Sequence, residues 1–125
     1  PLYPLKETGT TTKHGTIVRF LPDEEIFQET TEFSFDTLSA RLRELAFLNK
    51  NLRIIIEDPL NNKKNDFYFE GGIVSFVEHI NKKKIPLFED VIFIKQEDDT
   101  YLLEVAVQYN DGYTENLLSF VNNIN

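Results

Sequence analysis

Cysteine, methionine and tryptophan are absent from this 125-residue sequence, and histidine occurs only twice. Without cysteine there is no disulfide framework and no thiol nucleophile. Zinc sites of the all-cysteine or mixed cysteine–histidine kind are excluded as well. Basic residues are the minority, 13 Lys and Arg against 21 Asp and Glu, for a net charge of −8. That balance argues against the chain being a principal grip on a phosphate backbone. Lys63-Lys64 and Lys82-Lys83-Lys84 are local basic clusters, read as solvated turns. No apolar run reaches the length of a membrane span, and none has the order of a signal peptide, so a cytoplasmic setting is expected. Glycine and proline are sparse at five each, and no internal repeat or low-complexity tract occurs.

What remains is an ordered, Phe-rich chain. It is 41% hydrophobic, with 11 Phe and 5 Tyr, and long enough for one domain with a core. The first residues lack an initiator Met, and Asn123-Ile124-Asn125 follows directly on an apolar run. Both ends are therefore expected to lie inside a longer protein.

Alternation in 14–21, with Thr16, Val18 and Phe20 on one side, predicts a strand that Pro22-Asp23 ends. Glu24 to Phe27 reads as a single helical turn. A brief extended piece is expected at Phe33 and Phe35. Asp36, with Ser34 as its rival, is the expected helix cap. Leu38, Leu42, Leu45 and Ala46 recur at helical spacing, and Asn51 is suited to the left-handed position after the helix. Leu52 to Glu57 predicts a strand, residues 60–65 an exposed hairpin loop, and Phe67 with Phe69 a short return strand. Gly71-Gly72 turns the chain. Ile73, Phe76, Val77 and Ile80 then mark a two-turn helix. Val91 to Ile94 and Tyr101 to Tyr109 predict strands, Asn110-Asp111-Gly112 a hairpin turn, and Glu115 to Ile124 a long returning strand. The order defines an α+β fold, a mainly antiparallel sheet with two amphipathic helices packed on it. A boundary is expected between about residues 22 and 33.

Chemistry is scarce. His14 and His79 are not spaced as a metal-binding pair and read as surface residues. Gly71-Gly72 precedes a helix but lacks the Lys-Ser/Thr of a phosphate loop, so it reads as a structural turn. Asp23-Glu24-Glu25 and Glu97-Asp98-Asp99 read as caps or solvated faces. By the residues alone, the chain is an α/β domain with no active site of its own. A freestanding protein-binding or structural module is the alternative that this reading leaves open.

Five segments in order carry a resemblance. They are His14-Gly15-Thr16-Ile17-Val18-Arg19-Phe20-Leu21-Pro22-Asp23, Arg41-Leu42-Arg43-Glu44-Leu45-Ala46-Phe47-Leu48-Asn49-Lys50, Tyr68-Phe69-Glu70-Gly71-Gly72-Ile73, Glu104-Val105-Ala106-Val107-Gln108-Tyr109 and Ser119-Phe120-Val121-Asn122-Asn123-Ile124-Asn125. The series resembles the ATPase subunits of bacterial type II DNA topoisomerases, the family of gyrase B and its topoisomerase IV counterpart. Two positions depart from it: His14 stands where relatives often have Thr or Arg, and Asn51 where Gly is common.

The resemblance implies that residues 1–22 are the last strands of a GHKL-type ATP-binding domain, 23–32 a connector, and 33–125 the first part of a transducer domain. The transducer fold resembles the second domain of ribosomal protein S5. It implies ATP and Mg2+ as cofactors of the whole protein. Its partners would be DNA, gyrase A or an equivalent cleavage subunit, and a second copy of the ATPase region. Thr16 would lie near the adenine, Val18 would line the same pocket, and Gly15 would permit close approach. The family's general base, Mg-binding asparagine, adenine-binding aspartate and glycine-rich lid would precede Pro1. Its phosphate-contacting lysine would follow Asn125. The piece itself is therefore expected to have no catalytic residue, no metal ligand and no bound nucleotide.

Overall fold

A computed structural model describes residue 4 and residues 6–124. The reading of the first few residues, and of Asn125, lies outside the described residues. The chain divides into two compact units between Glu32 and Phe33.

In the first unit, residues 14–21 form no strand. The alternation is present, but a strand needs a neighbour to take its backbone N–H and C=O groups. No described segment pairs with it, and Ile17 is left 97% exposed. The single helical turn does form: the Asp23 carbonyl accepts from the Ile26 and Phe27 amides at 3.2 and 2.8 Å. The Asp23 side chain accepts from the Glu25 amide at 2.9 Å.

The second unit runs α1 (Phe35–Leu48), β1 (Ile54–Asp58), β2 (Lys63–Phe67), α2 (Ile73–Asn81), β3 (Ile92–Glu97) and β4 (Leu102–Val107). All strand pairing is antiparallel, but the sheet is in two parts, a β1–β2 hairpin and a β3–β4 hairpin. An isolated two-stranded hairpin is marginal in water, so each leans on a helix. α1 lies on β1 and β2, α2 lies on β4, and the helices touch each other.

Ser34, not Asp36, caps α1: its hydroxyl accepts from the Thr37 amide at 3.3 Å. Asp36 sits inside the first turn, where its charge faces the positive end of the helix. The helix thus begins at Phe35, and the expected extended piece stops short of it. At the far end the Asn49 amide donates to the Leu45 carbonyl at 3.0 Å, and Asn51 adopts φ +65°, the left-handed turn its sequence position suggested. Strand β2 starts at Lys63, inside the expected loop, because Asp58 closes the turn early by accepting from the Asn61 backbone and side chain at 3.2 and 2.8 Å. Gly72 stands at φ +59°, ψ −131° before α2, a backbone shape that glycine adopts without steric cost.

The core is small and aromatic. Ala46, Phe47 and Phe67 are its buried apolar residues among those described. The Phe47 ring stacks on Phe69 at 3.6 Å and on Phe76 at 4.9 Å between centroids, and Phe76 meets Phe120 at 6.2 Å. One file of rings therefore ties the exit of β2, both helices and the last segment together. Such pairs add about 0.5–1.5 kcal/mol each beyond the area they bury.

The last third differs most from expectation. Asn110-Asp111-Gly112 does not turn the chain back onto β4, and Glu115 to Ile124 forms no long strand. Residues 85–87 pair with 109–111 and prolong the β3–β4 ladder outward. The Leu87 amide donates to the Tyr109 carbonyl, and the Asp111 amide to the Ile85 carbonyl, both at 2.9 Å. Beyond Phe120, Asn122 and Asn123 stand at φ +49° and +66°. Consecutive left-handed residues force a tight turn, and asparagine tolerates that region better than most residues.

Candidate functional site

The residues expected beside a nucleotide are Gly15, Thr16 and Val18. All three lie exposed on the irregular segment before Pro22. A side-chain carbon built at Gly15 would meet nothing within 4 Å. The segment places them in one stretch of chain, with Val18 77% exposed. His14 is exposed on the same stretch, and His79 lies on α2 with its ring 5.3 Å from Phe47. No group of three or more His, Asp or Glu able to hold a metal occurs among the described residues.

The convergence of polar and aromatic groups lies elsewhere, along the seam of α1 and α2. An open groove of about 450 Å³ is lined there by Thr37, Arg41, Glu44, Phe47, Phe76 and His79, among others. Helical spacing places Arg41 and Glu44 on neighbouring turns of α1, where they form an ion pair. The other arm of Arg41 leaves the helix: Nη2 donates to the Asn123 carbonyl at 2.7 Å. Asn49 receives the Asn123 side-chain amide at 3.2 Å on Oδ1, while its own Nδ2 donates to the Leu45 carbonyl at 2.7 Å.

A second polar network joins α2 to β4. Asn81, 7% exposed, donates to Gln108 Oε1 at 2.9 Å and accepts from the Asn110 amide at 3.1 Å. Gln108 Nε2 in turn donates to the Phe88 and Glu89 carbonyls, both at 3.2 Å. Buried amides of this kind are stable only when paired, and here Asn81 and Gln108 each have both of their polar ends engaged. The network fixes where α2 ends against β4.

The clearest electrostatic shifts are peripheral. The Arg53 guanidinium, bonded to Asp66 at 2.6–3.1 Å, holds that carboxyl below the usual carboxylate range, and Asp66 raises Arg53 in return. Asn61 lowers Asp58 by hydrogen bonding to it. These groups brace the β1–β2 hairpin and its turn.

Sequence reasoning did not single out Asn123, Asn49 or Asn81 as contact residues. Asparagine in a turn is ordinarily read as a breaker, and pairing over 74 or 82 positions has no local signal. Two asparagines in succession were the available clue.

Two helices packed on antiparallel hairpins define a mixed α/β fold. The B-subunit of the DNA gyrase from Myxococcus xanthus superposes with a TM-score of 0.78 over 92% of this chain and 35% of that one, at 24% identity, a likeness of fold. The 43K ATPase domain of Thermus thermophilus gyrase B, solved in complex with an aminocoumarin, gives 0.72 over 82% of this chain and 28% of that one, at 30% identity. The DNA gyrase B family model matches residues 72–125. The DNA gyrase B protein of Bacillus mycoides is 51% identical over 125 residues, 99% of this chain and 31% of that protein. Its counterpart in Halalkalibacterium halodurans is 54% identical over 126 residues, 100% of this chain and 20% of that protein. The chain is similar to DNA gyrase B proteins along its whole length, and spans less than a third of the length of these two relatives. No helix among the described residues is long and apolar enough to cross a membrane.

Proposed function

We propose that the chain is the part of an ATP-dependent type II DNA topoisomerase that carries nucleotide state from the ATP-binding domain toward the DNA gate. The observation that supports this is identity to gyrase B proteins along the whole chain, together with a transducer-like fold. Residues 1–22 then close the nucleotide-binding domain, 23–32 connect, and 33–125 begin the transducer. Gly15, Thr16 and Val18 supply one edge of the adenine pocket when the rest of that domain is present. ATP and Mg2+ bind to the whole protein. DNA, gyrase A and a second copy of the ATPase region are its partners.

In this reading the helix pair and its aromatic file act as a lever, and phosphate chemistry belongs to other parts of the protein. The isolated 125-residue chain then neither hydrolyses ATP nor binds it at micromolar concentration. Calorimetry with a non-hydrolysable ATP analogue tests this, and saturable heat from the isolated chain would refute it. In the intact protein, paired with its cleavage partner, ATP-dependent supercoiling of relaxed DNA is expected. Its absence would refute the assignment itself.

A further inference from the structure

The turn Val121–Ile124 is held in an unusual way. The Val121 amide donates to the Ile124 carbonyl at 2.9 Å, and the Ile124 amide returns to the Val121 carbonyl at 3.0 Å. Asn122 and Asn123 between them have positive φ, as a two-residue reversed turn of the primed type requires. Apolar burial does not anchor it: Val121 and Ile124 are 72% and 69% exposed. Phe120 steadies its approach against Phe76. The polar contacts to Asn123 come from α1, which lies more than seventy residues earlier.

Both contacts share one design. Arg41 commits one nitrogen to Glu44 of its own helix and the other to the Asn123 carbonyl. Asn49 commits its amide to the Leu45 carbonyl and its oxygen to the Asn123 side chain. Each side chain is oriented by α1 before it meets the turn, so little further freedom is lost on contact. The charge-assisted bond from Arg41, at 2.7 Å, is also the stronger kind.

We propose that Arg41 and Asn49 are positioning residues that clamp the Val121–Ile124 turn to α1, so that the heading of the chain through that turn follows the helix. The proposal rests on the coupling role given above. It adds a specific link in that coupling: displacement of α1 reaches the last segment through one guanidinium and one amide.

The test uses the intact protein with its cleavage partner. Arg41→Ala is expected to raise hydrogen exchange at the Val121 and Ile124 amides by about tenfold, the weight of one hydrogen bond to a charged donor. ATP hydrolysis stays within about twofold, while supercoils introduced per ATP fall. Arg41→Lys, which keeps the charge but loses the fork, restores part of the protection. Arg53→Ala, which breaks an ion pair away from the turn, changes neither readout. Unchanged exchange in Arg41→Ala overturns the clamp. So does a fall of hydrolysis and supercoiling in the same proportion. An unmutated protein without ATP-dependent supercoiling would instead refute the functional reading, and the exchange comparison would still decide the clamp.

Discussion

The β1–β2 and β3–β4 hairpins have ladders of nearly the same length and opposite surroundings. The first pairs a strand of three isoleucines and two acids with Lys63–Phe67, which is mostly polar. Yet α1 covers it: Phe67 is buried, and Arg43 stands 5.3 Å over its ring. The second is far more apolar, with Ile92, Phe93 and Ile94 opposite Val107, Ala106 and Val105. It is nonetheless exposed on both faces, and only Ala106 in its ladder is half buried, on the side of α2. Leu102 on the same hairpin is 57% exposed. Strand hydrophobicity alone does not decide burial in this chain. Helix cover does, and α1 with 14 residues reaches both strands of its hairpin, whereas α2 with nine reaches chiefly one.

Breaking the covered half should have the largest effect. Phe47 is 2% exposed and stacks on two rings. Phe47→Ala is expected to destabilise the chain by about 3–5 kcal/mol, while Leu102→Ala on the bare hairpin costs about 0.5 kcal/mol or less. Urea unfolding of both variants checks the contrast. Equal costs would mean that the two halves share one core.

The join between α2 and the end of the bare hairpin comes next. Asn81→Ala removes the partner of Gln108 Oε1 and of the Asn110 side-chain amide in a half-buried site. It is expected to cost about 1–3 kcal/mol. Amide exchange should show the loss in β4 and the end of α2 and not in β1–β2.

Acid gives the smallest effect. The folded-state pKa of Asp66 lies below its unfolded value, because Arg53 stabilises the carboxylate. Its contribution is therefore complete above the unfolded pKa and disappears as pH falls through the folded one. Both groups are solvent-accessible, so the gain is modest. Stability measured across the acid range should fall less steeply in Asp66→Asn than in the parent. Identical slopes would remove the ion pair from the account of the covered hairpin.

Much of the fold was legible because local rules agreed with the tertiary structure. Helical spacing located α1 and α2, glycines marked the entry to α2, and Asn51 announced the end of α1. The periodicity of α1 pointed to Leu38, Leu42, Leu45 and Ala46; Ala46 is buried, yet Phe47 became the centre of the core. Helical spacing finds a face; it does not say which ring on that face meets Phe69 and Phe76. The long strands at 14–21 and 115–124 were misread for one reason. Alternation describes a side-chain pattern, whereas a strand exists only with a neighbour. In the second case Asn122-Asn123 also turned the chain. The seam between α1 and the last turn was hidden because it is built from neutral amides and one arginine far apart in sequence. Gly15, Thr16 and Val18 carried no signal beyond the resemblance, and their assignment to a nucleotide pocket stays a proposal for the intact protein.

The central claim, that α1 and the Val121–Ile124 turn move as one coupling element, is tested most directly by hydrogen exchange of the intact protein. It is measured with and without a non-hydrolysable ATP analogue. The account predicts that protection changes together in the α1 amides and at Val121 and Ile124. A nucleotide response in one without the other, or in neither, would contradict it.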